Sequence, residues 1–230
     1  MWNEFVTMVR EWSLLSLVIR MTMALLVGIL IGINRSVKHR GAGIKTHTLV
    51  CLGACIVMAT GQYLYRYFPT QADIGRLGAQ VVSGVGFLGV GTIIVTGKNQ
   101  VRGLTTAAGP WACACIGLAA GIGFVEGVII CLILVLFTYS FLDQLDTSLR
   151  RRSRNLDFYL EFEDNRSVSS FIEAIKERGW KLEILELSRG KGQEEGPSAV
   201  VTIEVKERKI RPVLAGMLRQ LSGIRFVEEL

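Results

Sequence analysis

The sequence predicts a membrane α-helical bundle of five transmembrane helices, followed by a small α+β soluble domain of ferredoxin-like, β-α-β-β-α-β order. Three observations carry this. Residues 1–149 hold 10 Lys+Arg and 6 Asp+Glu, whereas residues 150–230 hold 16 and 14, so an apolar part precedes a water-compatible one. The first part divides into apolar runs of roughly 17–22 residues, long enough to cross ~30 Å of hydrocarbon. The second part changes period, alternating like strands in some stretches and repeating like helices in others. The predicted domains are 1–149 and 150–230.

The first span covers about residues 12–33. Trp2 and Trp12 suit a headgroup belt. Arg20 stands about 12 Å into the run. Either it snorkels to the near surface, or it is buried beside an acidic partner, for which Asp73 and Glu126 are the candidates at that end. Gly28 and Gly32 have the spacing of a close helix contact. Residues 34–47 form a basic loop with Arg35, Lys38, Arg40 and Lys45. The second span, 46–65, ends in Tyr63, Tyr65, Tyr67 and Phe68, an aromatic belt.

The third span, 76–96, is rich in glycine, which costs roughly 1 kcal/mol per residue against alanine in a helix. Gly75, Gly78, Ser83, Gly86 and Gly89 fall on one face, and Gly84 and Gly91 nearly opposite. Two small faces predict a helix in the middle of the bundle. Gly84-Val85-Gly86-Phe87-Leu88-Gly89 fits the GxGxxG spacing, but no acid lies between Asp73 and Glu126, so a dinucleotide turn is set aside. The fourth span, 104–120, opens with Thr105-Thr106 and contains Gly109-Pro110. It reads as a kinked helix rather than a re-entrant loop. The fifth, 124–142, is strongly apolar and ends at Asp143 and Asp146, before Arg150, Arg151, Arg152 and Arg154.

Loops after spans one, three and five hold four, two and four Lys+Arg, against Arg66 and Arg76 on the other side. The bias predicts the N-terminus outside and the C-terminal domain in the cytoplasm. No cleavable signal peptide is evident, because the first apolar run is interrupted by Arg20 and lacks a small-residue cleavage pattern. In the soluble part, 156–163, 180–187, 199–206 and 224–228 read as strands, and 167–178 and 210–221 as helices.

The five cysteines, Cys51, Cys55, Cys113, Cys115 and Cys131, all lie in apolar runs without a CxxC, which fits free thiols better than metal ligands. The two histidines, His39 and His47, sit in the basic loop reading. No nucleophile–base pair, cofactor motif or metal cluster is apparent, so an enzyme is not expected. The basic excess sits beside apolar runs and is a topology signal rather than a nucleic-acid one. A magnesium path needs oxygen ligands. Asp73, Glu126 and Asp143 lie near span ends, and a buried Arg20 repels a divalent cation. The polar network expected to matter is Arg20, Arg35, Asp73, Arg76, Gln80, Arg102, Thr105, Thr106 and Trp111.

Long ordered strings carry a family resemblance over about residues 20–123. They are Gly28-Ile29-Leu30-Ile31-Gly32 with Arg35, and Ala42-Gly43-Ile44-Lys45-Thr46-His47-Thr48-Leu49-Val50. Arg76 and Gln80-Val81-Val82-Ser83-Gly84-Val85-Gly86-Phe87-Leu88-Gly89 with Gly91 follow, then Val101-Arg102-Gly103-Leu104-Thr105-Thr106-Ala107-Ala108, Trp111, Gly117 and Gly121. In these the chain resembles the MgtC/SapB family of bacterial membrane proteins. It departs from the family pattern at Asn34, where glutamate is usual, at Lys45 (arginine) and at Val90 (alanine). The resemblance implies an inner-membrane protein tied to growth in low magnesium and survival inside macrophages. It implies a regulator of a membrane partner, with F-type ATP synthase as proposed target, against an alternative reading as an ion transporter. It further implies no cofactor and an ACT-type tail able to form a homo-oligomer. The tail's first strand–helix turn, Glu163-Asp164-Asn165-Arg166, lacks the glycine common in ligand-binding ACT domains.

Overall fold

The computed structural model describes residues 1–38, 41–68, 73–95, 101–152, 155–188, 196–205 and 211–230. The described residues up to Leu145 form one compact unit, and those from Asp146 form a second.

A short helix absent from the sequence reading opens the chain. In α1 (Trp2–Arg10), Val6 and Val9, one turn apart, are buried while Trp2 is exposed. At nine residues it is too short to register as an apolar span. Ser13 then caps α2 (Leu14–Val37), accepting the Ser16 N–H at 3.0 Å. Next come α3 (Ile44–Tyr67) and α4 (Ile74–Val90), the latter capped by Asp73. A two-stranded hairpin, β1 (Ile94–Val95) and β2 (Val101–Arg102), leads into α5 (Leu104–Gly121). The last stretch is α6 (Val125–Phe137), a π-helical turn (Thr138–Leu142) and α7 (Asp143–Arg152).

Four helical stretches are long and apolar enough to cross a membrane: Leu14–Val37, Ile44–Tyr67, Leu104–Gly121 and Val125–Leu149. The third expected span is shorter than predicted. Its helix stops at Val90, and the β-branched run after Gly91 turns into β1. Seventeen residues give α4 about 26 Å.

The centre of the bundle is α5, not the glycine-rich α4. Helix α5 carries buried residues from Gly109 and Pro110 to Ala120 and Gly121, and it packs against α2, α3, α4 and α6. A Cβ on Gly117 or Gly121 would run into the carbonyl oxygens of Cys51 and Cys55, so backbone meets backbone between α5 and α3. Gly28 and Gly32 lie in the same way against the backbone of Thr48 and Ile44, joining α2 to α3. Helix α5 continues through Pro110 as one helix. Cys51, Cys55 and Cys113 are buried free thiols in this core, with Cys115 and Cys131 free outside it.

Helix α4 lies at the edge. A Cβ at Gly78 would approach Met58, and one at Gly89 would approach Ala107, whereas Gly84 and Gly86 have open space around them and Gly75 meets only Asp73. The expected two-sided packing is therefore corrected to one-sided packing. A helical wheel finds small faces but does not say which helix the neighbours surround.

The second unit contains β3 (Asn155–Phe162), α8 (Asn165–Glu177), β4 (Lys181–Ser188), β5 (Ser198–Glu204), α9 (Arg211–Arg219) and β6 (Ile224–Glu229). The antiparallel sheet has the order β4-β5-β3-β6. Central β3 alternates, with Leu156, Phe158, Leu160 and Phe162 buried against Phe171 and Ile175 of α8 and Leu214 and Leu218 of α9. Asp164 caps α8, accepting the Ser167 N–H at 2.7 Å and its hydroxyl at 2.6 Å. These bonds hold the Asp164 carboxyl below the usual carboxylate range.

Candidate functional site

Arg20 is fully buried. Its Nε and Nη2 donate to the Val9 carbonyl at 2.9 and 2.7 Å, and Nη2 also donates to the Arg10 carbonyl at 3.1 Å. Nη1 donates to the Gly121 carbonyl at 2.9 Å and to Oε1 of Gln62. The three carbonyls belong to the last turns of α1 and α5, where no intrahelical donor is available and the helix dipole is negative. One guanidinium thus ties α1, α3 and α5 to α2. The acidic partners expected from sequence are corrected. Glu126 pairs with Arg10 at 2.9 Å, and Asp73 accepts the Arg76 N–H at 3.1 Å as the cap of α4.

A second cluster lies where α3 and α5 begin. Arg35, only 4% exposed, donates from Nη2 to Oγ1 of Thr106 at 2.9 Å, and its guanidinium carbon stands 4.8 Å from the centre of the Tyr139 ring. His47 is buried, with Nδ1 2.8 Å from the Gly43 carbonyl. A carbonyl only accepts, so Nδ1 donates this bond. A Cβ on Gly109 would sit 2.6 Å from the Tyr139 hydroxyl and 2.8 Å from His47 Nε2, so the bare backbone there admits both polar tips. Lys38 closes the edge, donating to the Tyr139 carbonyl at 2.6 Å and to Asp143 at 2.8 Å. The arrangement joins α2, α3, α5 and the last helical stretch by hydrogen bonds and a cation–π contact.

The third feature is the outer face of α4. At 100° per residue, Arg76, Gln80, Ser83, Gly84, Phe87 and Gly91 share one side, and all are exposed. A carboxamide facing lipid without a partner is costly, and small residues let another backbone approach.

The nine residues expected to form one network are not brought together: five fall in three separate places. Arg35 meets Thr106, and Asp73 meets the backbone of Arg76. Arg20 stands apart with Gln62. Gln80, Arg102, Thr105 and Trp111 are exposed. Gln62, His47 and Tyr139 were not singled out from sequence. Gln62 did carry a signal, as a lone amide in an apolar run. Tyr139 reads as one more apolar residue, and His47, at the edge of the expected basic loop, lies within α3, which begins at Ile44. His39, Arg40, Lys98 and Arg154 lie outside the described residues.

The MgtC family model matches residues 21–148. YhiD of Escherichia coli K12, named as a candidate magnesium transporter, is 30% identical over 91% of this chain and 96% of that protein. SapB of Bacillus subtilis strain 168 is 26% identical over 90% of this chain and 92% of SapB. MgtC of Salmonella typhimurium strain LT2 is 39% identical over 52% of this chain, and the match spans 49% of MgtC. Among solved structures, the ACT domain from a GTP pyrophosphokinase of Chlorobium tepidum covers 33% of this chain at 17% identity and a TM-score of 0.28, too slight a likeness to bear on fold or ligand.

Proposed function

The chain belongs to the MgtC family, and on that premise we propose that it is a regulatory protein of the bacterial inner membrane. It supports growth when magnesium is scarce, and survival inside macrophages, by binding another membrane protein rather than by catalysis. F-type ATP synthase is the candidate partner. In this reading α4 completes five spans, with the N-terminus outside and the second unit in the cytoplasm as an ACT-type domain able to bring copies together.

The observation that carries the reading is the outer face of α4. Gln80, Ser83 and Gly84 are exposed, and a Cβ on Gly84 would meet nothing within 4 Å. Polar and small side chains on a membrane helix are the means by which helices associate in lipid. A photoreactive residue at position 80 or 83, in cells grown in low magnesium, is expected to capture one partner, and Gly84→Leu to abolish capture. Growth support by a chain that captures no partner would sink the proposal.

Magnesium transport is the second reading, favoured by the name given to YhiD. Arg20 and Arg35, both buried, oppose a divalent cation in the bundle. Magnesium uptake into liposomes holding the purified chain would overturn the preference.

A further inference from the structure

Arg20 places a full charge in the bundle, and each acceptor it reaches among the described residues is neutral: the carbonyls of Val9, Arg10 and Gly121 and the amide of Gln62. Helix ends offset part of that charge but supply no counter-ion. The Gln62 amide is oriented by this contact. With Oε1 committed to Arg20, its two N–H donors are left for other acceptors. Gln62 also lines a cavity of about 540 Å³, whose other walls are Arg10, Glu11, Trp12, Tyr65 and Arg66. Two arginines face this space and a third lies behind Gln62. Against them stand Glu11 on the wall and Glu126, which is already held by Arg10. The balance is positive. Trp12 and Tyr65 on its walls are rings of the type that settle at headgroup level, and Trp12 packs on Tyr63 at 5.8 Å between ring centres.

We propose that this cavity is an anion site of the phosphate class. Arg66 and Arg10 hold the anion, the Gln62 amide donates to it, and Arg20 supplies charge from behind. Guanidinium groups match phosphate oxygens in geometry. A phospholipid headgroup and free inorganic phosphate share this chemistry, and the aromatic walls suit either source.

The test uses the full chain in nanodiscs with Trp2, Trp111 and Trp180 replaced by phenylalanine, so that Trp12 alone reports. Inorganic phosphate is titrated in phosphatidylcholine discs, and emission is compared between phosphatidylcholine discs with and without phosphatidylglycerol. A saturable response to phosphate assigns the site to a soluble anion. A response to phosphatidylglycerol alone assigns it to a headgroup. In either case Arg66→Gln weakens the response about tenfold, the effect of losing one charged hydrogen bond. Gln62→Glu is the sharper variant. It gives Arg20 a counter-ion, so thermal stability is kept or raised while the anion response disappears. No response to either anion, or a Gln62→Glu chain that responds like the parent, overturns the proposal. Should Gln62→Glu fail to fold, an unchanged response in the exposed Arg66→Gln variant overturns it equally.

Discussion

Arg20 donates twice to one acceptor, the carbonyl of Val9, from Nε at 2.9 Å and from Nη2 at 2.7 Å. Because that carbonyl ends α1, the position of the first helix depends on a side chain from the second. Arg20→Met fills similar length but leaves the carbonyls of Arg10 and Gly121 without this donor, while the Val9 carbonyl keeps the Ser16 hydroxyl. Each unsatisfied group costs about 1–3 kcal/mol. The variant is expected to insert, to expose α1 to protease, to melt earlier in detergent and to lose growth support in low magnesium. Arg20→Lys should restore only part of this, since an ammonium cannot reproduce the planar fork. Normal melting and normal growth of Arg20→Met would remove the residue from the functional set.

Two glycines separate packing from recognition. Gly117→Ala sets a Cβ against the Cys51 carbonyl, deep between α3 and α5. Overpacking of this kind typically costs about 1–3 kcal/mol, and the melting temperature should fall. Gly84→Leu enters open space and should change stability by no more than about 0.5 kcal/mol. It should nevertheless abolish partner capture at α4. If Gly84→Leu melts like the parent and still captures the partner, Gly84 takes no part in the contact at α4.

Much of this architecture is legible in the residues. Apolar length places α2, α3 and the last span, and period two places β3, because burial on one side imposes each pattern locally. The centre of the bundle is not local. Gly78, Gly84 and Gly86 look alike in sequence, yet only neighbours distant along the chain decide that Gly78 is packed and the other two are open. Arg20 shows the same limit. Its anomaly is plain in the sequence, but its acceptors are backbone carbonyls, which any residue supplies, and so no side-chain pattern pointed to Val9 or Gly121.

The second unit has a pH dependence at Asp164. Its carboxyl is held below the usual range, first by the Ser167 hydroxyl and then by the Ser167 N–H. A group whose folded pKa lies below its unfolded value binds fewer protons when folded. Its contribution is therefore complete above the unfolded carboxylate pKa and is lost as pH falls from there through the folded value. Amide exchange in the first turn of α8 should accelerate over that acid window. Ser167→Ala removes the hydroxyl, so it should raise the lower end of that window and reduce the acceleration across it. A window and acceleration equal to the parent's would mean that the cap does not govern this turn.

The Arg35 cluster predicts an energetic coupling. Arg35 touches Thr106 through a hydrogen bond and Tyr139 through its ring, and the two contacts use different parts of the guanidinium environment. Thr106→Val removes the first at about 1 kcal/mol. Tyr139→Leu removes the second, at about 1–2 kcal/mol for a desolvated cation over a ring, apart from any packing loss. Combined with Arg35→Gln in double-mutant cycles, each pair should couple by at least about 0.5 kcal/mol, because contacting residues do not add. Burial shields both contacts from counter-ions, so raising salt should leave the coupling nearly unchanged. A strictly additive Arg35–Tyr139 cycle, measured by unfolding in detergent, would mean that the ring contributes only packing to the joint of α2, α5 and the last helical stretch.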